Sequence, residues 1–431
     1  MKTYQLYING QYVDPVNGEW FDTIDPYRGE AWAKIPRGTA ADADKAVKAA
    51  NEAMWNGPWA KMTASARGKA MRKLGDLVAA NAERLAEIEV RDNGKLMAEM
   101  LGQLRYHPEW WWYFGGLVDK LEGGLVPIDK AETFAYTTHE PVGVVAALTA
   151  WNSPLLFVAW KCAAALAAGC AVIVKPSEFT SASTLEFAAL TKEAGIPDGI
   201  FNVVTGFGPE AGSALISHPG VAKITFTGSD TTGAKVYETA AKSLKRVSLE
   251  LGGKSPNIVF EDADLTAAAA GAISGIFAAT GQTCIAGSRL LVENSIKDKF
   301  VPMVVEAIKA WKPGNIAARA WLSVASLPGP CRASRVSRAL ASSARDMLRR
   351  WRGTLGACIG RQRRTPRGSS AASRFGLSGN SEAVWPSSPM PSTSTSIGGS
   401  LANTASARSA ASSRLAALWY RPTRRAAAAG P

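Results

Sequence analysis

Between Val142 and Gly253 the chain repeats one pattern, and few folds can accept it. Short apolar runs (VGVVAALTAW, AVIVKPSE, FNVVTG, KITFTG, RVSLELGG) alternate with helix-like stretches (STLEFAALTKEAG, PEAGSALIS, TTGAKVYETAAK). Strands of this kind are buried on both faces, and the helices between them predict βαβ units and a parallel sheet in an α/β fold. Such sheets bind ligands beyond the carboxyl ends of their strands. The functional question therefore falls on Trp151 and Asn152, on Lys175 to Glu178, on Thr227 to Ser229, and on Glu250.

The flanks are simpler. YQLYING followed by QYVDP reads as two extended segments with Asn-Gly as the hairpin turn. Thr39 is placed to cap a helix over ADADKAVKAANEAM. Met71, Leu74, Val78, Leu85 and Ile88 share a helical spacing, which predicts one long helix over about 63–92. The uncharged run Leu265 to Ser288 is rich in Ala, Gly, Thr and Ser, so it reads as a buried helix and a loop rather than a membrane span. NSIKDKFVPMVVEAIKAWKPGN reads as an amphipathic helix with a Pro-Gly exit.

Net charge separates the body from the tail. The chain carries +13, but residues 316–431 hold 18 arginines, no lysine, Asp346 and Glu382, a net +16. Residues 1–315 are left with 31 basic and 34 acidic residues, a net −3. The tail also loses apolar periodicity, in RQRRTPRGSS, PSSPMPSTSTS and RPTRRAAAAGP. It reads as a frameshift product of a GC-rich gene, expected to be disordered; a natural disordered basic tail is the alternative. MKTYQLYING has no apolar secretory core, and five cysteines do not suggest a disulfide scaffold, so a cytoplasmic protein is expected.

Individual motifs carry chemistry weakly. In KITFTGSDTTG an apolar strand runs into Gly228, Ser229 and Gly233, where a helix start would aim free N–H groups at an anion. GFGPEAG, with Gly208, imitates a dinucleotide fingerprint without its spacing. Lys175 and Glu178 of KPSE form either a surface ion pair or a grip on ribose hydroxyls. LELGGKSPN sets Glu250 between leucines, a setting that raises a carboxyl pKa and suits a general base, unless a lysine such as Lys254 pairs with it. Asn152 offers an amide to an oxyanion or simply caps a turn. Cys284, in GQTCIAGSR, is a nucleophile or a buried thiol. The three histidines and the scattered cysteines form neither a triad nor a metal-ligand spacing, so no metal is expected. PEWWWYF lacks interleaved basic residues and reads as core and pocket lining rather than a base-stacking surface.

The ordered set is more specific than its members. TAWNSPL, VKPSE, GFGPEAG, ITFTGS, LELGGKSPN and GQTCIAGSR together resemble the NAD(P)-dependent aldehyde dehydrogenase superfamily, and so does the 34-residue step from Glu250 to Cys284. The resemblance covers about residues 5–315. It implies a Rossmann-like NAD-binding domain over 1–122 and 142–253, an oligomerisation hairpin over 123–141, and the start of a catalytic domain over 254–315. It implies Cys284 as the nucleophile, Glu250 as the base, and Asn152 with the Cys284 N–H as the oxyanion hole. Cofactor contacts would be Trp151, Lys175, Glu178, Gly208, Gly228, Ser229 and Gly233, with NAD favoured over NADP because Glu178 repels a 2′-phosphate. Ser153, Phe157, Trp160 and Ile285 would line a roomy apolar tunnel to a small-molecule aldehyde.

Beyond residue 315 the likeness stops. The E-x-F-G-P motif, the remaining catalytic strands and the C-terminal strand that would complete the oligomerisation sheet are expected to be missing. The family is homo-oligomeric, and a sheet without its partner strands leaves backbone groups unpaired. Impaired NAD-dependent aldehyde oxidation is therefore the leading expectation. A non-catalytic NAD-binding remnant is the second, and a tail that binds nucleic acid without sequence preference is the third. No specific nucleic-acid or membrane partner is expected.

Overall fold

The computed structural model of the chain describes residues 1–309 and the backbone of 420–428. The chain opens with β1 (Lys2–Thr3), β2 (Leu6–Ile8), β3 (Gln11–Val13), β4 (Trp20–Asp25) and β5 (Glu30–Pro36). The β2–β3 hairpin turns on Asn9 and Gly10, both at positive φ, as the Asn-Gly signal predicts. Helix α1 (Ala40–Trp55) starts at Thr39, whose N–H donates to the Asp42 carboxylate at 2.8 Å.

Helices α2 (Pro58–Lys61), α3 (Ala64–Ala80), α4 (Ala82–Asn93), α5 (Met97–Tyr106) and α6 (Pro108–Leu117) follow. The expected single helix over 63–92 is two helices, broken at Asn81. The Asn81 amide donates to the Leu77 carbonyl at 2.9 Å, a side-chain bond that ends α3. The apolar spacing survived the break because both helices bury the same kind of stripe, including Met71, Leu74, Val78 and Leu85.

After β6 (Thr133–Pro141), the repeat runs β7 (Val144–Leu148), α7 (Pro154–Ala167), β8 (Val172–Lys175), α8 (Ala182–Glu193), β9 (Phe201–Val203), α9 (Ser213–Ser217), β10 (Val221–Thr227), α10 (Asp230–Ala241) and β11 (Arg246–Glu250). These five strands are parallel and lie in the order β11-β10-β7-β8-β9, with β2 and β3 added antiparallel beyond β9. The strand order reverses between β7 and β10, which opens a crevice at their carboxyl ends. Every residue of β7, β8 and β9 is buried. Helix α7 covers them and is itself buried at twelve of fourteen positions, which explains a helix sequence that is apolar nearly all round.

Next come β12 (Pro256–Val259), α11 (Leu265–Phe277), β13 (Arg289–Val292) and α12 (Lys297–Lys309). Helix α11 was expected to be buried; only Ala269, Ala272 and Ile273 are, because among the described residues it packs mainly on α12 and on the turn that follows it. The expected Pro-Gly exit of α12 lies outside the described residues. Among the described residues no helix is long and apolar enough to cross a membrane.

Two expectations about the oligomerisation hairpin change. One arm, β6, is a full strand; the other forms no regular strand and is held by an isolated bridge from Leu125 to Tyr136, with the Val126 N–H donating to the Ala135 carbonyl at 2.9 Å and the Thr137 N–H to the Gly124 carbonyl at 2.8 Å. The strand expected to be missing is present: β14 (Tyr420–Ala428) pairs antiparallel with β6 along its nine residues, from Tyr420 opposite Pro141 to Ala428 opposite Thr133. The pairing uses backbone groups, so a tail of unrelated composition can supply it. The rest of the expected disordered tail falls outside the described residues.

Candidate active site

A cleft of about 1090 Å³ sits at the carboxyl ends of β7, β8 and β10, across the crevice where the strand order reverses. One half is lined by Lys175, Glu178 and a set of glycines. Lys175, the last residue of β8, is buried; its Nζ donates to the Pro176 carbonyl at 2.8 Å and lies 3.8 Å from Glu178 Oε2. Burial pushes Lys175 down from 10.5 to about 8, and the Glu178 carboxylate opposes the shift. Gly208 and Gly212 bracket a wide helical turn closed by the Gly212 N–H on the Phe207 carbonyl at 3.3 Å. Gly212 stands against the Lys175 chain, where a Cβ would come within 3.4 Å of Cδ. Both glycines line the cleft, with Trp151 on the opposite strand end.

Gly228 and Ser229 also line the cleft, and Ser229 caps α10 by accepting from the Thr232 N–H at 3.2 Å. Gly233 does not line it. It sits in the first turn of α10, where a Cβ would lie 2.6 Å from Leu251 Cδ2, so its role is close packing of helix on loop.

The other half holds the Cys284 thiol. Cys284 is half-buried at the cleft wall, and Asn152 reaches it through the loop: its Nδ2 donates to the Gln282 carbonyl at 2.8 Å. Gly253 closes the same corner, since a Cβ there would meet the Cys284 carbonyl oxygen at 2.8 Å. Gly253, the second glycine of LELGG, thus lets the loop after β11 touch the Cys284 loop. Upstream of the thiol, Ala279, Thr280 and Gly281 all have positive φ, at 54°, 55° and 75°. For Ala and Thr this left-handed backbone costs roughly 1–2 kcal/mol each. The Glu99 carboxylate accepts from the Ala279 N–H, at 3.3 Å through Oε1 and 3.2 Å through Oε2.

Several expected residues are elsewhere. Glu250 is exposed and does not line the cleft; among the described residues β11 is the outer strand of the sheet, and the expected apolar setting is not formed there. Lys254 is no partner for it, since its Nζ donates to the Gly253 carbonyl at 3.0 Å. Ser153 is buried beneath the cleft rather than lining a tunnel, because its hydroxyl accepts from Lys95 at 3.1 Å. Ile285 is 76% exposed and does not line the cleft. Trp160 packs edge-on to Trp110 and Phe157 outside the cleft, and of the four tunnel residues only Phe157 lines it. PEWWWYF gives core (Trp111, Phe114) but no lining. Sequence reasoning missed Lys95, Glu89 and Glu99. Glu89 and Glu99 signal themselves only as charge on helices, and Lys95 lies in the link between α4 and α5.

The family model described as "Aldehyde dehydrogenase family" matches residues 12–340. The (Z)-2-((N-methylformamido)methylene)-5-hydroxybutyrolactone dehydrogenase of Acinetobacter baylyi is 49% identical over 314 residues, 73% of this chain and 64% of that protein. The crystal structure of an NAD-dependent aldehyde dehydrogenase from Sinorhizobium meliloti is similar at TM-score 0.72 and 41% identity, over 74% of this chain and 64% of that one. The NAD+ complex of an aldehyde dehydrogenase from Bacillus cereus gives the same score and identity, over 74% and 65%. This chain spans somewhat under two thirds of the length of these relatives. With motif order, strand order, cleft and family match in agreement, the chain belongs to the aldehyde dehydrogenase family.

Proposed function

We propose that this chain oxidises an aldehyde to a carboxylic acid with NAD as acceptor, through Cys284, at a reduced rate. The observation that carries the reading is the hydrogen bond from Asn152 to Gln282, which joins a strand end of a nucleotide-type sheet to the thiol loop inside one cleft. In this reading Cys284 Sγ adds to the aldehyde carbon, giving a thiohemiacetal, and the carbonyl oxygen takes up negative charge. Asn152 has one amide hydrogen committed to Gln282 and a second for that oxygen. The Cys284 N–H is the other donor. Lys175 and Glu178 would hold the NAD, which would supply a hydride acceptor; loss of hydride from the thiohemiacetal carbon leaves a thioester on Sγ. Water then cleaves the thioester to the acid and the free thiol.

The nucleotide half supports the cofactor assignment. Lys175 and Glu178 offer a donor and an acceptor to vicinal ribose hydroxyls, and the Glu178 carboxylate disfavours a 2′-phosphate, so NAD is preferred to NADP. The same reading divides the chain into a nucleotide-binding domain (1–122 and 142–253), an oligomerisation arm (123–141), and the start of a catalytic domain (254–315). It takes the protein as a cytoplasmic homo-oligomer and 316–431 as a frameshift product. The reduced rate follows from the absence of an E-x-F-G-P motif and from the exposed Glu250, which must turn inward to act as a base. Glu250 also favours a second reading, NAD binding without turnover.

Two measurements on the full chain separate them. NADH formation with a panel of short and aromatic aldehydes, beside calorimetric titration with NAD, supports the first reading if both respond. Binding without NADH leaves the second, and neither response removes both. The titration carries its own prediction. The Lys175 ammonium is present below about pH 8 and lost above it. NAD affinity is therefore expected to fall up to about tenfold from pH 7 to pH 9. Lys175→Met should bind weakly and lose that dependence; an unchanged slope would assign it to another group.

A further inference from the structure

Beneath the cleft lies a set of charged groups that the proposed chemistry does not use. Lys95 is 1% exposed. Gly94, left-handed at φ 71°, ends α4 and swings the chain so that Lys95 enters the interior just ahead of α5. Its Nζ donates to the Ser153 hydroxyl at 3.1 Å, one residue after Asn152. Two carboxylates act on it electrostatically, Glu89 from α4 and Glu99 from α5. Each grips a different segment. Glu89 is fully buried, and its Oε1 accepts from the Leu155 N–H at 2.7 Å and from Ser183 at 3.3 Å. Glu89 Oε2 has no hydrogen-bond partner among the described residues. Glu99 accepts from the Ala279 N–H, at the start of the left-handed turn that leads to Cys284.

A buried lysine flanked by carboxylates is a poor way to gain stability, since apolar residues of similar volume usually serve as well or better. Its position is more informative. Ser153 and Leu155 follow Asn152 directly, and Ala279 comes five residues before Cys284. One cation therefore stands between the anchors of both segments that the reaction must align. We infer that Lys95, Glu89 and Glu99 are positioning residues that fix the Asn152 segment against the Cys284 loop. The inference rests on the aldehyde-oxidation reading for its purpose, but the placement of the thiol can be measured without turnover.

The test uses the full chain carrying Glu99→Ala, Glu99→Gln and Lys95→Met. Alkylation of Cys284 by iodoacetamide is followed by mass spectrometry of the peptide ending at Arg289, so that other cysteines do not contribute. Glu99→Ala is expected to change that rate at least about threefold, and to lower the turnover number about tenfold or more with little change in aldehyde KM. Glu99→Gln keeps an acceptor for the Ala279 N–H and is expected to restore most of both. Lys95→Met should resemble Glu99→Ala, and the double variant should lose less than the two losses combined, because the residues act through one unit.

Wild-type alkylation and turnover in folded Glu99→Ala would overturn the inference. Equal losses in Glu99→Gln and Glu99→Ala, with Tm lowered in both, would also overturn it, as plain packing. If Lys95→Met does not fold, the Glu99 pair decides. If the wild-type chain makes no NADH, the function reading fails and alkylation alone decides the positioning role.

Discussion

Cys284→Ala is expected to abolish aldehyde-dependent NADH formation, a loss of about 10³-fold or more, with NAD affinity unchanged. No other thiol among the described residues can stand in. Cys162 and Cys170 are buried in and just after α7, and burial pushes both thiols upward, Cys170 to about 11. Neither lines the cleft. Asn152 and the loop N–H groups remain in the variant, but without a nucleophile they have no developing oxyanion to stabilise. The measurement is initial-rate NADH formation beside calorimetric NAD binding on the same preparations. Turnover that survives the substitution would mean that the cleft works without its thiol.

Trp111→Ala is expected to cost about 3–5 kcal/mol of stability. The ring is fully buried, stacked on Phe187 with centroids 5.7 Å apart, and its Nε1 donates to His107 Nδ1 at 3.2 Å. That bond assigns the other nitrogen, Nε2, as the proton carrier, and it donates to the Leu155 carbonyl at 2.9 Å. Burial holds His107 down at about 4, so it stays neutral in the folded protein. Alanine leaves a large cavity and strips Nδ1 of its donor. Denaturant unfolding reads the effect. A loss under about 1 kcal/mol would show that α6 repacks freely.

The legible part of this molecule is the part set by local pattern. Unbroken apolar runs marked β7 and β8 because both their faces are covered, and the strand ends they defined hold Asn152 and Lys175 at the cleft. Tertiary context decided the rest. Glu250 sits between leucines in sequence, yet β11 is an outer strand, and exposure there depends on what lies beside the sheet. Ser153 looked like a tunnel residue because it follows Asn152; a lysine 58 positions earlier claims it. The break at Asn81 hid behind a spacing that two successive helices share. The β14 strand could not be read at all, since its composition matches the tail around it and its pairing is a backbone matter.

That pairing sets a delay on biogenesis. Pro141 and Tyr420, opposite one another in the ladder, are separated by 278 residues of chain. A ribosome adding ~5–20 residues per second needs roughly 15–55 s to make that stretch. Throughout that interval the nascent chain holds β6 without its β14 partner, while the β7–β11 sheet is completed once Glu250 has been added. Closing so long a loop costs entropy that local contacts do not. The open edge is a template for a second chain on the same polysome as readily as for β14. Slow synthesis and crowded messages should therefore favour intermolecular pairing over the native ladder.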